Sequence, residues 1–201
     1  MKLFSSPTSP FVRKVWVTAH ELGLSDRITA LPSAAHPVNR DSTVVTHNPL
    51  GKVPTLLLDD GTMLADSRVI CEYLNDLADA DLFPRERQAR WRALVDQALG
   101  DGLLDAALLA RYERTARPAE LAWQGWVDSQ TDKIASTLAT IEARAKVFDG
   151  RVDIGTITLG CALGYLDLRF AELDWRQGHP ATAAWLATFE ARPSMQATHP
   201  R

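Results

Sequence analysis

The sequence is poor in the features that mark several large classes of protein. It has only two cysteines, Cys71 and Cys161, so it encodes neither a disulfide framework nor a metal cluster. No stretch approaches the roughly 20 apolar residues that span a bilayer, and the N-terminus lacks the charged and apolar regions of a signal peptide. We therefore expect a cytoplasmic protein with no membrane partner and no metal.

The chain also lacks a large excess of positive or negative charge. The chain has 22 Lys and Arg residues against 25 Asp and Glu residues, for a net charge of -3, and the two signs are interspersed. Such a distribution has no basic footprint for nucleic acid or for an anionic membrane. We expect no nucleic-acid partner and favour a small molecule.

The chain changes character near residue 80. Before this point, short strand-like runs alternate with helical patterns, in the order βαβ and then ββα. After a short acidic linker the strand patterns end, and helical patterns follow at about residues 86–112, 119–146, 154–171 and 180–191. A chain of 201 residues can bury two small cores. We predict an α/β domain over residues 1–79 and an all-α domain over residues 85–201.

Residues 48–67 combine a bent strand entry, a hairpin pattern and a helix start. Pro54 cannot donate a hydrogen bond and, if its peptide bond is cis, turns the preceding backbone away from the sheet. Val53 can then offer its N–H and its C=O to a peptide-like ligand. Asp66-Ser67 is typical of a helix start. The order of these features predicts a ligand clamp, although Pro54 alone is also typical of an edge strand.

The clearest helix start in the second half is Asp153. Its side chain can accept a hydrogen bond from the N–H of Thr156. The helix that follows is rich in Ala, Leu and Gly, which is typical of a fully buried helix. Gly160 and Gly164, one turn apart, permit a neighbouring helix to pack closely.

Four features occur together in this chain at a characteristic spacing. They are Ser9-Pro10-Phe11-Val12-Arg13-Lys14 after the first strand, the Asn48-Pro49-Leu50-Gly51-Lys52-Val53-Pro54 run, Asp66-Ser67 before a helix, and a helical second half. Together they resemble the cytosolic glutathione transferases, of the bacterial serine type, over nearly the whole chain. The resemblance implies a thioredoxin-like N-terminal domain with a mixed four-stranded sheet and an all-α C-terminal domain. It also implies glutathione as co-substrate, a small hydrophobic electrophile as second substrate, and a homodimer.

The resemblance implies that Ser9 is the catalytic residue. The thiol of glutathione must ionise to attack an electrophile, and a free thiol with a pKa of about 8.5 is mostly protonated near pH 7. At the start of the first helix, the Ser9 hydroxyl can donate to the thiolate, and the helix dipole adds a favourable potential. The plain alternative for a serine before proline is a helix cap. Other hydroxyls share the loop, but the family places the active residue directly before Pro-Phe, which selects Ser9.

The resemblance implies a glutathione site that consists of Phe11, Lys52, Val53, Pro54, Asp66 and Ser67. Val53 would pair through its backbone with the cysteinyl unit, Asp66 would face the ammonium group, and Ser67 would receive the α-carboxylate. The alternatives are a simple cap for Asp66-Ser67 and a solvated lysine for Lys52.

Two parts of the site stay open at the level of sequence. The glycine carboxylate would be held in a variable loop by one of His36, Asn39 and Arg40, and the sequence does not select among them. The electrophile pocket would be lined by Pro7, Phe11 and the fourth helix around Leu104, Leu108 and Tyr112. An apolar stripe on that helix is equally typical of a core.

Three functions are compatible with these residues. The first is a glutathione transferase that conjugates glutathione to small electrophiles, or uses it to reduce peroxides, in detoxification. The second is a zeta-like glutathione-dependent isomerase. It is less favoured because those proteins have a Ser-Ser-Cys motif at the start of the first helix, whereas this chain has Pro7-Thr8-Ser9-Pro10 and no cysteine there. The third is a catalytically weak glutathione-binding accessory module. Ser9 cannot form a mixed disulfide, so conjugation is favoured over thiol transfer.

Overall fold

The structure is a computed structural model that describes residues 1–200. By packing, the chain divides into two compact units. The first consists of Met1–Arg87 together with the segment that begins at Pro193, and the second is Gln88–Arg192.

The first unit is an α/β unit built on a mixed sheet. Its elements in chain order are β1 (Lys2–Ser5), α1 (Pro10–Glu21), β2 (Thr29–Pro32), α2 (Ser42–Val45), β3 (Thr55–Leu57), β4 (Met63–Leu64) and α3 (Ser67–Leu77). The four strands lie in the order β2-β1-β3-β4. β1 pairs parallel with β2 and antiparallel with β3, which in turn pairs antiparallel with β4. This confirms the predicted thioredoxin-like fold; the short helix α2 was not predicted.

The core of this unit lies between the sheet and the helices α1 and α3. Leu3 and Leu56 stand opposite each other in the β1–β3 ladder, and both are fully buried. Val15 of α1 and Ile70 and Leu74 of α3 are also fully buried. The sheet and both helices therefore share one apolar core, which holds the ends of the strands in place.

The second unit is helical. Its helices are α4 (Arg87–Thr115), α5 (Gln124–Arg144), α6 (Ile154–Arg169), α7 (Trp175–Gly178) and α8 (Pro180–Glu190). The four long helices correspond to the four predicted ones, whereas α7 is too short to produce a readable period. No helix within residues 1–200 combines the length and the hydropathy needed to cross a membrane.

The last helix, α9 (Pro193–Ala197), packs with the first unit rather than with the helical one. The Arg13 guanidinium donates to the carbonyl oxygen of Met195 at 3.3 Å, and the Ser194 hydroxyl donates to the Glu21 carboxylate. The α1 surface thus receives the segment that we had assigned to the all-α domain of residues 85–201. The boundaries at 79 and 85, as folding domains, stay a prediction.

The predicted cap at Asp153 is present at the start of α6. Asp153 Oδ1 accepts from the N–H of Thr156 at 3.0 Å, and Thr156 Oγ1 accepts from the N–H of Asp153 at 3.0 Å. Beyond this cap, every residue from Ile154 to Leu166 is buried, which confirms the buried helix.

A charge cluster ties the start of α6 to α4 and to the end of α5. Asp96 of α4 is fully buried, and its two oxygens lie 2.7 Å from Arg144 Nη2 and 3.0 Å from Arg151 Nη1. Arg151 also pairs with Asp153 at 2.8 Å. Because Asp96 pairs with two arginines, removal of both would leave this buried charge without compensation, which costs several kcal/mol, typically about 3–5.

The backbones of α4 and α6 approach each other at two glycines. A Cβ atom on Gly100 would lie 2.8 Å from Thr158 Cγ2 and 3.2 Å from the Thr158 carbonyl carbon. A Cβ atom on Gly155 would lie 2.7 Å from the carbonyl oxygen of Ala93. Gly100 and Gly155, which we had not singled out in the sequence, make this close approach. The close packing that we predicted at Gly160 and Gly164 stays a prediction.

This contact gives a matched pair of substitutions on α4. Gly100→Ala is expected to destabilise the chain by about 1–3 kcal/mol through overpacking. Gly102→Ala is expected to stabilise it by up to about 1 kcal/mol, because its Cβ meets nothing within 4 Å and alanine is the better helix former. Urea unfolding of both variants measures the difference. Equal stability of the two variants would contradict the close approach.

Candidate functional site

The sheet topology brings four chain segments to one edge of the first unit. β1 and β2 run parallel, and β3 runs antiparallel to β1, with Phe4 opposite Thr55. β4 runs antiparallel to β3, with Leu56 opposite Leu64. The residues after β1, β2 and β4 and those before β3 therefore leave the sheet at the same edge. These segments carry Ser9, the loop of residues 33–41, Asp66 and Val53.

Ser9 is the N-cap residue of α1. Its Oγ accepts from the N–H of Val12 at 3.3 Å, while its backbone is held by Ser6 and Arg13. A hydroxyl has one donor and two acceptor lone pairs, so the cap uses one lone pair and leaves the O–H able to donate. Because the side chain is only half-buried, a ligand atom can reach it. The cap and the predicted catalytic role are therefore compatible.

The neighbouring hydroxyl groups are placed differently. Ser5 lies in β1 and accepts from the indole N–H of Trp16 at 3.3 Å. Ser6 and Thr8 precede the helix, whereas Ser9 stands directly at its N-terminus, before Pro10. Only Ser9 of these combines a hydroxyl with the positive end of the α1 dipole.

Val53 presents an unpaired stretch of backbone. The Val53–Pro54 peptide bond is cis, and so is Ala65–Asp66. Neither the N–H nor the C=O of Val53 makes a hydrogen bond with any other residue in the described range, 1–200. The residue is half-buried, so both groups are available to an extended peptide-like ligand.

A buried pair, Asn48 and Thr55, braces the loop that carries Val53. Asn48 Nδ2 donates to Thr55 Oγ1 at 2.8 Å, and Thr55 Oγ1 donates to the carbonyl oxygen of Lys52 at 2.8 Å. Asn48 Oδ1 accepts from the N–H of Leu50 at 3.0 Å. Neither Asn48 nor Thr55 was predicted to brace the loop. The signal available in the sequence was a polar residue on each side of Val53-Pro54.

Among the three candidates in the variable loop, Arg40 lies against the clamp. Arg40 Nη1 donates to the carbonyl oxygen of Pro49 at 2.9 Å, and its stem packs on Gly51, which has a φ of +61°. His36 Nδ1 accepts from two backbone N–H groups, at 3.2 and 3.1 Å, so the ring proton is assigned to Nε2. Asn39 provides one of these N–H groups and is exposed.

Asp41 organises the loop that contains Arg40. Its carboxylate accepts from Ser33 Oγ at 2.8 Å, the N–H of Ala34 at 3.2 Å, and the N–H and Oγ1 of Thr43 at 2.9 and 2.6 Å. The hydrogen bond from the Thr43 hydroxyl, followed by that from Ser33, lowers the pKa of Asp41 from 3.8 to about 2. The loop is therefore held by a carboxylate that is ionised at neutral pH.

Asp66 and Ser67 stand at the start of α3, as predicted. Asp66 Oδ1 accepts from the N–H of Arg68 at 2.9 Å, which leaves its second oxygen free to bind a cation. Asp66 is exposed and Ser67 is 2% exposed. The carboxylate therefore faces solvent at the site edge, while Ser67 is enclosed by the first turn of the helix.

The other residues predicted for the site differ in how far they are exposed. Lys52 is exposed, and Phe11 is half-buried with its ring centroid 5.9 Å from Lys14 Nζ. On α4, Leu104 is fully buried and belongs to the core, whereas Leu108 and Tyr112 are half-buried. Within residues 1–200 no group of three His, Cys, Asp or Glu side chains is arranged to hold a metal ion.

Comparison with known proteins identifies the family. Residues 8–77 match the family model described as Glutathione S-transferase, N-terminal domain, and residues 124–188 match Glutathione S-transferase, C-terminal domain. The chain belongs to the glutathione S-transferase family. This confirms the family and the fold that the sequence motifs predicted.

Three relatives extend over the whole chain. The uncharacterized GST-like protein YibF of Escherichia coli (strain K12) is 35% identical, and the match covers 100% of this chain and 98% of YibF. A glutathione transferase family member from Pseudomonas fluorescens Pf-5, solved with bound glutathione, is 46% identical, with a TM-score of 0.97 and coverage of 100% and 98%. A glutathione S-transferase from Methylobacillus flagellatus KT, also with glutathione bound, is 35% identical, with a TM-score of 0.88 and coverage of 100% and 99%.

The lowered pKa of Asp41 predicts an acid-sensitive loop. Because the folded pKa lies below the ordinary value of 3.8, the stabilisation is complete above that value and is lost as the pH falls through about 2. Asp41→Asn removes the ionised acceptor. The difference in melting temperature between the wild type and this variant should stay constant from about pH 7 to about pH 5 and shrink below about pH 4. A difference that stays constant down to about pH 3 would contradict the assignment.

Proposed function

We propose that this chain is a serine-type glutathione transferase, which holds the thiol of glutathione as a thiolate for attack on small electrophiles or peroxides. The observation that carries the proposal is the placement of Ser9, Val53 and Asp66-Ser67 at one edge of one sheet. Their available groups complement an anionic tripeptide thiol. The solved relatives at 46% and 35% identity contain bound glutathione, which supports the same ligand here.

Each part of glutathione has a chemical complement in this proposal. The N–H and C=O of Val53 pair with the backbone of the cysteinyl unit, in the manner of an added strand. The free oxygen of Asp66 pairs with the γ-glutamyl ammonium group, and the N-terminus of α3 at Ser67 receives the α-carboxylate. Arg40 is the candidate that we favour for the glycine carboxylate, because its guanidinium already lies against the clamp through Pro49. Phe11, Lys52 and Pro54 complete the proposed site.

Ser9 acts in this proposal as a hydrogen-bond donor and not as a base. A serine hydroxyl titrates far above neutral pH, so it cannot take the thiol proton, which leaves to solvent. Its O–H instead donates to the sulfur of the thiolate, and the α1 dipole favours the same charge. Both effects stabilise the ionised thiol relative to the neutral one, which lowers the pKa of bound glutathione. We propose that the protein acts in the cytoplasm and that its role there is detoxification.

Removal of the Ser9 hydroxyl should raise the pKa of the bound thiol and leave glutathione affinity largely intact. A hydrogen bond to a charged group contributes about 1.5–3 kcal/mol, which corresponds to a shift of about 1–2 pKa units. The thiolate absorbance of the glutathione complex, titrated against pH, measures this shift. Ser9→Gly separates donation from capping, because glycine at the cap costs only a few tenths of a kcal/mol, against about 1 for alanine.

Two further variants serve as controls for Ser9. Thr8→Ala removes a hydroxyl from the same loop and should leave the thiol pKa unchanged. Asp66→Ala should weaken glutathione binding by about tenfold or more through loss of a charge-assisted contact, with no change in the pKa of thiol that remains bound. If Ser9→Ala and Ser9→Gly both keep the wild-type thiolate titration, the role of Ser9 is wrong. Binding without turnover of aryl halides or peroxides would favour the accessory module.

We also propose that the chain forms a homodimer. Each unit exposes large apolar side chains on one helix, Val69 and Leu77 on α3 and Trp91 and Val95 on α4. Leu50 is exposed in the clamp loop as well. Large exposed apolar side chains on one helix indicate an interaction surface, and a second copy of the chain is the partner that the family resemblance implies.

The dimer is tested by charge insertion. Val69→Glu and Trp91→Glu are each expected to convert a dimer to a monomer, because a buried charge without a partner strongly destabilises an interface. Light scattering with size exclusion measures the mass. Leu121→Glu is the control, since Leu121 is exposed on a different segment of the second unit and should leave the mass unchanged. A wild-type mass of one chain would overturn the proposal directly.

A further inference from the structure

The clamp loop, residues 48–55, is anchored at both of its ends within the first unit. Asn48 follows α2, and its N–H donates at 2.8 Å to the carbonyl oxygen of Val44, which is fully buried. Thr55 is the first residue of β3, which pairs with β1. Asn48 is 2% exposed and Thr55 is fully buried. The stretch that carries Val53 therefore runs between two polar side chains that are shielded from water.

The contacts of the loop fix the direction of each hydrogen bond that these side chains make. The N–H of Leu50 can only donate, so the amide oxygen of Asn48 faces it, at 3.0 Å. Asn48 Nδ2 consequently faces Thr55 Oγ1 and donates to it at 2.8 Å. Since that oxygen accepts from Asn48, the single proton of the Thr55 hydroxyl is directed to the carbonyl oxygen of Lys52, 2.8 Å away. The Lys52 carbonyl is therefore held toward the buried pair.

The orientation of the Lys52 carbonyl fixes the orientation of the N–H that follows it. The peptide bond between Lys52 and Val53 is trans, and the C=O and N–H groups of a planar trans peptide point to opposite sides of the chain. Because this carbonyl points to the Thr55 hydroxyl, the N–H of Val53 points away from it. That N–H has no acceptor among the described residues, and Val53 is half-buried. The Thr55 hydroxyl thus orients a donor that is available to a ligand.

The Thr55 hydroxyl is the stronger of the two contacts that hold the Lys52 carbonyl. The other contact, from Asn48 Nδ2, is 3.5 Å long, which is beyond the usual range of about 2.7–3.2 Å. A peptide unit without a firm contact can rotate about the bonds on either side, and such a rotation would turn the Val53 N–H inward as the carbonyl turns outward. Threonine suits this role because its β-branched side chain has few rotamers.

We propose that Thr55 is a positioning residue for glutathione, which acts through the Lys52 carbonyl to point the Val53 N–H at the carbonyl oxygen of the cysteinyl unit. Asn48 orients the Thr55 hydroxyl. This proposal rests on the proposed transferase function and adds a residue that acts through the backbone. Its effect is on affinity, because a donor that is already oriented avoids the entropy cost of fixing the peptide on binding. The pKa of the thiol depends instead on Ser9.

The first test compares two substitutions of Thr55. Thr55→Val keeps nearly the same shape and removes the hydroxyl, so it should weaken glutathione binding by about threefold to tenfold, the equivalent of one hydrogen bond. Thr55→Ser keeps the hydroxyl and should restore most of the affinity. The pKa of the bound thiol should equal the wild-type value in both variants, since the donor to the sulfur is unchanged. Calorimetry gives the affinities, and circular dichroism checks that each variant is folded.

Thr18→Val is the matched control for Thr55→Val. Thr18 is also fully buried in the first unit, and its hydroxyl donates to Cys71 Sγ at 3.4 Å, between α1 and α3. The control removes a buried hydroxyl without touching the clamp loop, and it should leave glutathione affinity within about twofold of the wild type. Equal losses of affinity in the two variants would assign the effect to general destabilisation and overturn the proposal.

Two shorter thiols test which contact with the ligand is lost. γ-Glutamylcysteinamide keeps the cysteinyl carbonyl oxygen, γ-glutamylcysteamine lacks it, and neither contains glycine. Thr55→Val should weaken the binding of γ-glutamylcysteinamide by about threefold to tenfold and leave that of γ-glutamylcysteamine within about twofold. An equal loss for both thiols would contradict the proposed role, because the Val53 N–H would then not be the donor that Thr55 orients.

Turnover separates this proposal from the proposed function. With an aryl halide as second substrate, Thr55→Val should raise KM for glutathione by about threefold to tenfold and leave kcat nearly unchanged. If neither aryl halides nor peroxides are turned over while affinity still depends on the Thr55 hydroxyl, the positioning role stands and the transferase function fails. If turnover occurs and Thr55→Val keeps the wild-type affinity, the transferase function stands and the positioning role is wrong.

Discussion

The antiparallel pairing of β3 with both β1 and β4 is the constraint on which the site depends. Because β3 runs against its two neighbours, the segment before it and the segments after β1 and β4 leave the sheet at one edge. The segments that carry Ser9, Val53 and Asp66 therefore lie at the same edge, although more than fifty residues separate the first from the last. The fully buried pair of Leu3 and Leu56 holds this register, since a slip of β3 by one residue would turn Leu56 out of the core.

Residues that complete local structure also keep capacity for a ligand. Ser9 caps α1 through one lone pair and retains its O–H, and Asp66 caps α3 through one oxygen and retains the other. The buried pair of Asn48 and Thr55 holds the clamp loop, so that the backbone of Val53 is presented without support from the sheet ladder. Hydrogen bonds that hold the loop in the absence of a ligand lower the entropy cost of binding.

In the helical unit, two glycines and a buried charge cluster hold α4 and α6 together. Gly100 and Gly155 let α4 and α6 approach at backbone distance, and the Asp96 cluster ties the start of α6 to both neighbouring segments. With the two helices held so closely, their C-terminal ends come together as well.

The sequence by itself determined the order of the strands and the long helices, the cap at Asp153 and the family, because hydrophobic period and turn chemistry are local properties. It also placed Ser9, Val53 and Asp66-Ser67 in their local settings. Only the tertiary structure decided that α9 packs on α1, that Gly100 and Gly155 bring α4 and α6 close together, and that Arg40 lies against the clamp. Each of these depends on contacts between residues far apart in the chain, and no local pattern encodes which distant partner a residue meets.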